Sequence, residues 1–218
     1  MNCITYVLTV GEGVNRMKKR IITLGREFGS GGHTIGMEAA KRLNIPFYDE
    51  EIIERIARHS RYDEEFIRMM DKAEAPGRTK LSFLLSGRDQ SGNTINDYIY
   101  RAQCEAVHEL TQEGPFLLVG RCGDQILKDR DDVLKVFVFA DLEWRKARIL
   151  RKYGETKVPI DKRVSEKDQR RAASYLYHTG VKWGQKENYD ICLDSSSLTE
   201  EACIEIICHM YEWEYGDR

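Results

Sequence analysis

The sequence predicts an α/β protein in which helices cover both faces of a mostly five-stranded parallel sheet, giving three layers, α/β/α. Two observations predict this fold class. Short apolar runs without polar alternation are typical of strands buried on both faces of a parallel sheet. Segments with helical periodicity separate these runs, as in sheets with helices on both sides. The predicted strands are residues 21–24, 45–48, 116–119, 133–140 and 189–193.

A single domain over residues 20–213 accommodates all of these segments, and residues 1–19 are predicted to be an N-terminal extension. The basic stretch 17–20 before the first strand looks like a natural start, so the residues before it are expected to be a start-site extension. The alternative is an added edge strand over residues 4–10.

Composition excludes several classes of protein. The chain has 218 residues and a net charge of −2, so it offers no broad positive surface to nucleic acid or to an acidic membrane. No apolar run approaches the about 20 residues of a membrane span, and the first residues lack the basic start of a signal peptide. Its six cysteines form no C-x-x-C pair, which favours reduced thiols over a zinc site. We therefore expect a cytoplasmic protein without nucleic-acid or membrane partners.

The first strand leads into GREFGSGGHTIG (25–36), and a helix-forming segment, MEAAKRL (37–43), follows. A strand, a glycine-rich bend and a helix together predict a phosphate site, because a helix N-terminus presents unpaired N–H groups and a positive dipole end to an anion. Glycines let the phosphate approach the backbone, and hydroxyls can contact the phosphate or its Mg²⁺. The candidates are the backbone of Gly29, Gly31 and Gly32 and the hydroxyls of Ser30 and Thr34.

This bend matches the phosphate-binding motif G-x-x-x-x-G-K-[ST] only in part. When Gly31 is aligned with the last glycine, Arg26 stands at the first glycine and Gly32 at the lysine. The lysine that reaches the β- and γ-phosphates is therefore absent, and Arg26, His33 or a lid arginine could supply its charge. An ordinary flexible turn is the alternative interpretation of these glycines.

Residues 49–113 are predicted to form a helical lobe on the substrate side of the sheet. Asp49 ends the second strand. Because a carboxylate at the C-terminal end of a parallel strand lies on the ligand-binding edge of the sheet, Asp49 is predicted to contact the ligand. The alternative is that Asp49 only caps the helix that follows. Arg101 lies off the apolar stripe of its helix, so it either reaches a substrate phosphate or is solvated. Helices are predicted over 49–60, 62–74 and 98–114, with a loop over 75–97.

The second half of the chain repeats the strand and helix scheme. The strand 116–119 is followed by a second glycine-bearing bend, GRCGDQIL (120–127). Arg121 stands in this bend at the C-terminal end of a strand, a position that favours ligand contact over a structural salt bridge. Helices are predicted over 141–154 and 198–213.

Residues 154–188 differ from the rest because they concentrate positive charge between two sheet elements. A mobile basic lid that closes over phosphates and neutralises developing charge is one interpretation. A solvated helix, in which Glu166 and Asp168 pair with the cations, is the other. The cations of this segment include Lys162, Arg163, Lys167, Arg170 and Arg171.

Several segments in chain order resemble the cytidylate kinase-like family. REFGSGGHTIG (26–36) followed by IPFYDEEII (45–53) resembles its opening signature, and GPFLLVGRCGDQIL (114–127) is similar to its Gly-Arg-Asp strand and bend. EKDQRR (166–171) resembles its lid motif, in which Asp168 precedes Arg171 by three residues. Residues 134–150 resemble the family's fourth strand and the helix after it. Residues 189–207 resemble its closing strand, turn and helix.

The resemblance implies a P-loop kinase fold with a basic lid, in which ATP and Mg²⁺ are cofactors and the phosphate acceptor is a nucleoside monophosphate. The implied ATP-binding residues are Arg26, Gly29, Ser30, Gly31, Gly32, His33 and Thr34, with Thr34 also on the metal. The implied substrate-binding residues are Asp49, Arg101, Arg121 and Asp124. The implied catalytic residues of the lid are Arg163, Asp168, Arg170 and Arg171.

The sequence departs from the family pattern at two positions, with Gly32 in place of the lysine and Cys122 in place of the aspartate after Arg121. Asp124, two residues on, is a candidate to replace that aspartate. Two alternatives therefore stay open besides a nucleotide kinase. One is a nucleotide-binding sensor or partner subunit without transfer activity, and the other is a kinase of a non-nucleotide metabolite.

Overall fold

The structure of the protein is a computed structural model that describes residues 17–72 and 87–215. In chain order its strands are β1 (Met17–Lys18), β2 (Ile21–Arg26), β3 (Phe47–Tyr48), β4 (Phe116–Val119), β5 (Val133–Phe139), β6 (Ile191–Asp194) and β7 (Glu214–Tyr215). The main sheet has five strands in the order β3-β4-β2-β5-β6. Every neighbouring pair is parallel, which confirms the predicted fold class.

Eight α-helices lie within the described part of the chain. They are α1 (Gly32–Arg42), α2 (Ile52–His59), α3 (Glu64–Lys72), α4 (Ile95–Glu113), α5 (Gly123–Ile126), α6 (Leu142–Tyr153), α7 (Ile160–Thr179) and α8 (Glu200–Glu212). None of the helices in residues 17–72 and 87–215 is both long and apolar enough to cross a membrane.

Alternate residues of the central strands feed two hydrophobic cores, one on each face of the sheet. Ile22 and Leu24 of β2 pack with residues of α1 and α8 on one face. Ile21 and Leu118 pack with residues of α2, α3 and α4 on the other face. Because β2 and β4 contribute side chains to both cores, their sequences are apolar without alternation, as the three-layer arrangement requires.

Two helix starts lie upstream of their predicted positions because of their capping residues. Helix α1 begins at Gly32 rather than 37, after Gly31 adopts the left-handed cap conformation. Helix α4 begins at Ile95 rather than 98, because Thr94 and Asp97 form a capping box. The predicted loop over 75–97 falls in part on residues 73–86, which lie outside the described residues.

The central part of the basic segment, residues 160–179, forms one continuous helix, α7, which we call the lid helix. It ends at Gly180, which has a φ of 70°. Strands β1 and β7 add a small antiparallel sheet that pairs Met17 with Tyr215 and that sequence patterns do not predict. The alternative edge strand over residues 4–10 lies outside the described residues.

Candidate active site

The glycine-rich loop, residues 27–31, connects β2 to α1 at the carboxyl end of the sheet. Gly29 and Gly31 have φ values of 87° and 85°, a region that residues with a Cβ rarely adopt. Among the described residues, no acceptor bonds the backbone N–H groups of Gly29, Gly31, His33 and Thr34. These N–H groups and the positive end of α1 form a site suited to an anion.

Close packing, as well as anion access, requires the glycines of this loop. A Cβ added to Gly29 would lie 2.8 Å from Cδ1 of Ile149 on α6. A Cβ at Gly31 would lie 3.1 Å from Oε1 of Glu200, the carboxylate that Arg148 binds. The loop is therefore pressed against α6 and the start of α8, which keeps its backbone in one conformation.

The predicted phosphate contact of the Ser30 hydroxyl is wrong. Ser30 is fully buried, and its hydroxyl donates to the carbonyl oxygen of Glu27 at 2.9 Å. The carbonyl oxygen of Ser30 accepts a hydrogen bond from the Ser195 hydroxyl at 2.5 Å. This side chain therefore stabilises the loop from inside, whereas the hydroxyl of Thr34, partly exposed in the first turn of α1, has no partner among the described residues.

Sterics explain the missing motif lysine. A Cβ on Gly32 would lie only 2.6 Å from Cβ of Arg26 and 3.3 Å from Cδ2 of Leu24. The side chain of Arg26 thus begins in the space that a lysine stem would need. We therefore expect position 32 to exclude any side chain, charged or not.

Restoring the motif lysine is expected to destabilise the protein. Gly32→Lys should lower the free energy of unfolding by about 1–3 kcal/mol, because overpacking forces backbone shifts. Met37→Lys, at an exposed position of the same helix, is the matched control and should stay within about 0.5 kcal/mol of the wild type. Denaturant unfolding monitored by circular dichroism measures both. A Gly32→Lys protein as stable as the control would contradict the steric explanation.

A cavity of about 390 Å³ lies next to this loop, between the ends of β2 and β4 and the lid helix. Five cationic side chains line it, although the net charge of the protein is close to neutral. The cations are Arg26, Arg121, Lys167, Arg170 and Arg171, and the acids are Asp49, Glu50 and Asp124. The structure thus brings together six of the predicted site residues: Arg26, Asp49, Arg121, Asp124, Arg170 and Arg171.

Asp49 contacts residues on both sides of the glycine-rich loop. One carboxylate oxygen lies 3.4 Å from Nη2 of Arg26, and the other lies 3.4 Å from Nε2 of His33. Arg171 reaches the same place from the lid helix and donates to the backbone oxygen of Arg26 at 3.0 Å. Burial, followed by the repulsion of Arg26, lowers the pKa of Arg171 to about 10. Arg171 therefore stays charged at neutral pH and would gain from a bound anion.

A left-handed turn directs Arg121 into the cavity. Gly120, Arg121 and Cys122 have successive φ values of 73°, 59° and 52°. Each of the two residues that carry a Cβ pays roughly 1–2 kcal/mol for this conformation. Gln103 on α4 stabilises the turn by donating to the carbonyl oxygen of Arg121 at 2.7 Å. Strained backbone of this kind is common at functional sites.

The family model for the cytidylate kinase-like family matches residues 21–197, which is most of the chain. The protein belongs to the cytidylate kinase-like family. No curated protein matches the sequence. Membership supports a small-molecule kinase, without fixing its substrate.

Solved structures similar to this chain include kinases and an uncharacterized protein. An uncharacterized protein from Eubacterium ventriosum is 22% identical, with a TM-score of 0.65, over 88% of this chain and 98% of that chain. Shikimate kinase from Bacteroides thetaiotaomicron is 16% identical, with a TM-score of 0.51, over 88% and 98%. A gluconokinase from Sinorhizobium meliloti is 13% identical, with a TM-score of 0.50, over 87% and 90%. At these identities the similarity establishes the shared fold.

Cys122 stands in the turn where the resemblance to the cytidylate kinase-like family leads us to expect an aspartate. Burial raises the pKa of its thiol to about 12, so it is neither an anion nor a nucleophile at neutral pH. Asp124 lines the cavity, where burial raises the pKa of its carboxyl group. It accepts a hydrogen bond from the Tyr175 hydroxyl at 2.5 Å. The cavity thus retains a carboxyl group, on α5 instead of in the turn.

Asp168 links the lid helix to the glycine-rich loop. One carboxylate oxygen accepts from the backbone N–H of Phe28 at 2.8 Å, and the other accepts from Nη1 of Arg145 at 2.5 Å. Arg145 is itself buried and lies 3.4 Å from Oε2 of Glu27. Both oxygens of Asp168 are therefore engaged by the protein and tie the lid helix to the glycine-rich loop, and the catalytic role of Asp168 stays a prediction.

Two predicted arginines lie outside the cavity. Arg101 is exposed on α4 and donates to Oδ1 of Asn93 at 2.8 Å. Arg163 donates to the backbone oxygen of Gly154 at 2.9 Å. It shares a helix face with Arg170 but precedes it by two turns, which is about 10 Å along the axis. Neither arginine lines the cavity in this structure, because helix periodicity defines the face of a residue and not its distance from the sheet.

The sequence interpretation missed the aromatic wall of the cavity. Tyr100 on α4 stacks on His178 of the lid helix, with ring centroids 4.2 Å apart and planes at 10°. Trp183 packs edge to face on Phe137 of β5. The only sequence signal is the high density of aromatic residues after position 174. The aromatic residues lining the cavity are Tyr100, Tyr175, Tyr177, His178, Trp183 and Tyr189.

Proposed function

We propose that the protein transfers the γ-phosphoryl group of Mg²⁺-ATP to a small anionic acceptor, with a nucleoside monophosphate as the favoured class. The observation that carries this proposal is the adjacency of two anion sites. One is the set of unpaired N–H groups at the start of α1, and the other is the cavity lined by five cations. The family match and the aromatic wall, which suits a planar base, support the same proposal.

In this reaction an acceptor oxygen forms a bond to the γ-phosphorus, the bond to the β-phosphate oxygen breaks, and ADP leaves with the electron pair. The protein contributes positioning and charge neutralisation, which supply most of the catalysis in phosphoryl transfer. The backbone N–H groups of Gly31, His33 and Thr34 would hold the nucleotide phosphates. Arg121, held by its left-handed turn, would orient the acceptor anion, and Arg171 would neutralise charge between the two sites.

The residues present fit a magnesium ion carried by the nucleotide. No group of three or more potential metal-binding side chains occurs in residues 17–72 and 87–215. Mg²⁺ commonly keeps several waters and binds one or two protein oxygens plus substrate phosphates. The free hydroxyl of Thr34, next to the unpaired N–H groups, supplies one such oxygen.

Thr34→Ala is expected to raise the Mg²⁺ concentration needed for half-maximal activity about tenfold, a loss of about 1.4 kcal/mol. Thr34→Ser retains the hydroxyl and should behave like the wild type. Titration of the rate with Mg²⁺ at saturating ATP measures the effect. An unchanged Mg²⁺ requirement in Thr34→Ala would show that Thr34 does not bind the metal ion.

The proposed function is tested by measuring ADP release with a panel of acceptors. The panel contains CMP, UMP, AMP and GMP, their unphosphorylated nucleosides, and shikimate and gluconate as non-nucleotide controls. We expect turnover with at least one monophosphate and none with the matching nucleoside, because the cationic cavity needs an anion. Failure of every acceptor, with ATP still bound, would overturn the transferase proposal.

Specific observations favour each alternative. The exclusion of a lysine at position 32 favours a nucleotide-binding sensor, for which ATP binds without turnover. The similarity of the fold to a shikimate kinase and a gluconokinase favours a metabolite acceptor. ATP turnover with a non-nucleotide acid alone would select the second alternative.

A further inference from the structure

The side chain of Lys167 reaches from the lid helix to the glycine-rich loop. Its Nζ lies 4.6 Å from the centroid of the Phe28 ring, and Phe28 is a residue of that loop. The contact is held in place by the adjacent residue, because Asp168 accepts a hydrogen bond from the backbone N–H of Phe28. Lys167 also lines the cavity while its side chain remains partly exposed, so a bound ligand can reach it.

The surroundings of Lys167 contain an excess of positive charge. Its pKa is lowered by partial desolvation and then by the nearby cations Arg170, Arg171, Arg163 and Arg26. Within the described residues no carboxylate forms an ion pair with Lys167. In contrast, Lys162 on the same helix lies 3.5 Å from Glu166. A cation that faces other cations without a counterion is best stabilised by an anionic ligand.

The motif lysine of the glycine-rich loop is absent. Two arginines of α6 pack against this loop, and each is already ion-paired, Arg145 with Asp168 and Arg148 with Glu200. Position 32 cannot hold a lysine because of Arg26, whose own guanidinium is directed to Asp49 and the Gly120 backbone. Lys167 of the lid helix, by contrast, contacts this loop with an ammonium group. An ammonium is a compact point charge with three donors, which suits contact with several phosphate oxygens at once.

We propose that Lys167 is a further catalytic residue, which binds the terminal phosphates of the nucleotide from the lid helix in place of the absent motif lysine. This inference rests on the proposed function, because it names the cation of the same phosphate site. Lys167 lies on the lid helix, and the adjacent Asp168 binds the backbone N–H of Phe28 in the glycine-rich loop. Phosphate binding by Lys167 is therefore coupled to the position of the lid helix. Asp168 is then a positioning residue for Lys167.

The first test compares Lys167→Ala, Lys167→Met and the control Lys162→Ala in the ADP-release assay. Removing one preorganised charge from a transition state costs about 100-fold or more in kcat. We expect this loss in both Lys167 variants, with the acceptor KM unchanged, and a rate within about twofold of wild type in Lys162→Ala. Lys167→Met retains the apolar stem over Phe28, so a loss confined to Lys167→Ala would assign the effect to packing and overturn the inference.

The second test does not require turnover. Wild-type protein is acetylated with a limiting reagent, and the reactivity of each lysine is measured by mass spectrometry with and without ATP, inorganic tripolyphosphate or CMP. We expect ATP and tripolyphosphate to slow acetylation of Lys167 at least about fivefold while leaving Lys162 unchanged, because a bound phosphate shields the amine and raises its pKa. Protection by CMP alone would place Lys167 in the acceptor site and overturn the inference.

The two tests separate failure of the inference from failure of the proposed function. If the wild type releases ADP and both Lys167 variants do so at the same rate, only the inference fails. If ATP binds without turnover, the transferase proposal fails, and protection of Lys167 by tripolyphosphate still decides the inference. If neither ATP nor tripolyphosphate binds, as judged by thermal shift, both fail.

Discussion

Arg121→Ala should lower kcat/KM for the acceptor about 100- to 1000-fold while leaving the KM for ATP within about twofold. The left-handed turn at Gly120 to Cys122 fixes this arginine at the end of β4, on the cavity side. A charge-assisted, bidentate hydrogen bond to an acceptor anion is lost with the side chain, and a loss of about 3–4 kcal/mol gives this factor. Steady-state kinetics with each substrate varied in turn measures the effect.

Two variants distinguish substrate binding by Arg121 from a role in folding. Arg101→Ala removes an exposed arginine outside the cavity, and its kinetics should match the wild type. Arg121→Gly removes the same side chain and also relieves the strained backbone, so it should be more stable than Arg121→Ala by about 1 kcal/mol and equally slow. Arg121→Ala with a normal acceptor KM and kcat would exclude Arg121 from the acceptor site.

Arg171→Ala should slow phosphoryl transfer about 1000-fold, the lower end of the effects known for transition-state arginines. Arg171 is largely buried between the two proposed anion sites and donates to the backbone oxygen of Arg26. Its pKa of about 10 keeps it protonated at neutral pH, so it can neutralise charge that develops on the transferred group. Because the interaction strengthens in the transition state, kcat should fall with little change in either KM. Single-turnover measurements test this expectation.

Arg163→Ala is the matched control for Arg171, since it lies on the same helix but outside the cavity. Its rate should stay within about twofold of the wild type. Arg171→Lys keeps the charge and loses the planar fork, so it should recover only part of the rate. A near-normal rate in Arg171→Ala, with a correctly folded protein by circular dichroism, would show that the lid helix carries this arginine for packing alone.

The sequence determined the elements and the fold of this protein. Apolar runs without alternation predicted all five strands of the sheet, because a strand buried on both faces has apolar residues at successive positions. The collinear motifs predicted the family, the glycine-rich bend is the loop before α1, and most of the basic segment folds as α7. These features depend on local conformation and short-range periodicity, which neighbouring residues encode.

The tertiary structure alone decided which side chains meet. It directs the Ser30 hydroxyl into the loop interior, pairs Asp168 with Arg145, and places Lys167 against Phe28 of the loop, where no carboxylate of residues 17–72 and 87–215 is ion-paired with it. It also excludes Arg101 and Arg163 from a cavity that the six aromatic residues help to line. Asp168 and Phe28 are 140 positions apart in the chain. Contacts at such separations depend on how helices pack on the sheet, which is set by the sum of many burial and packing interactions rather than by any local pattern.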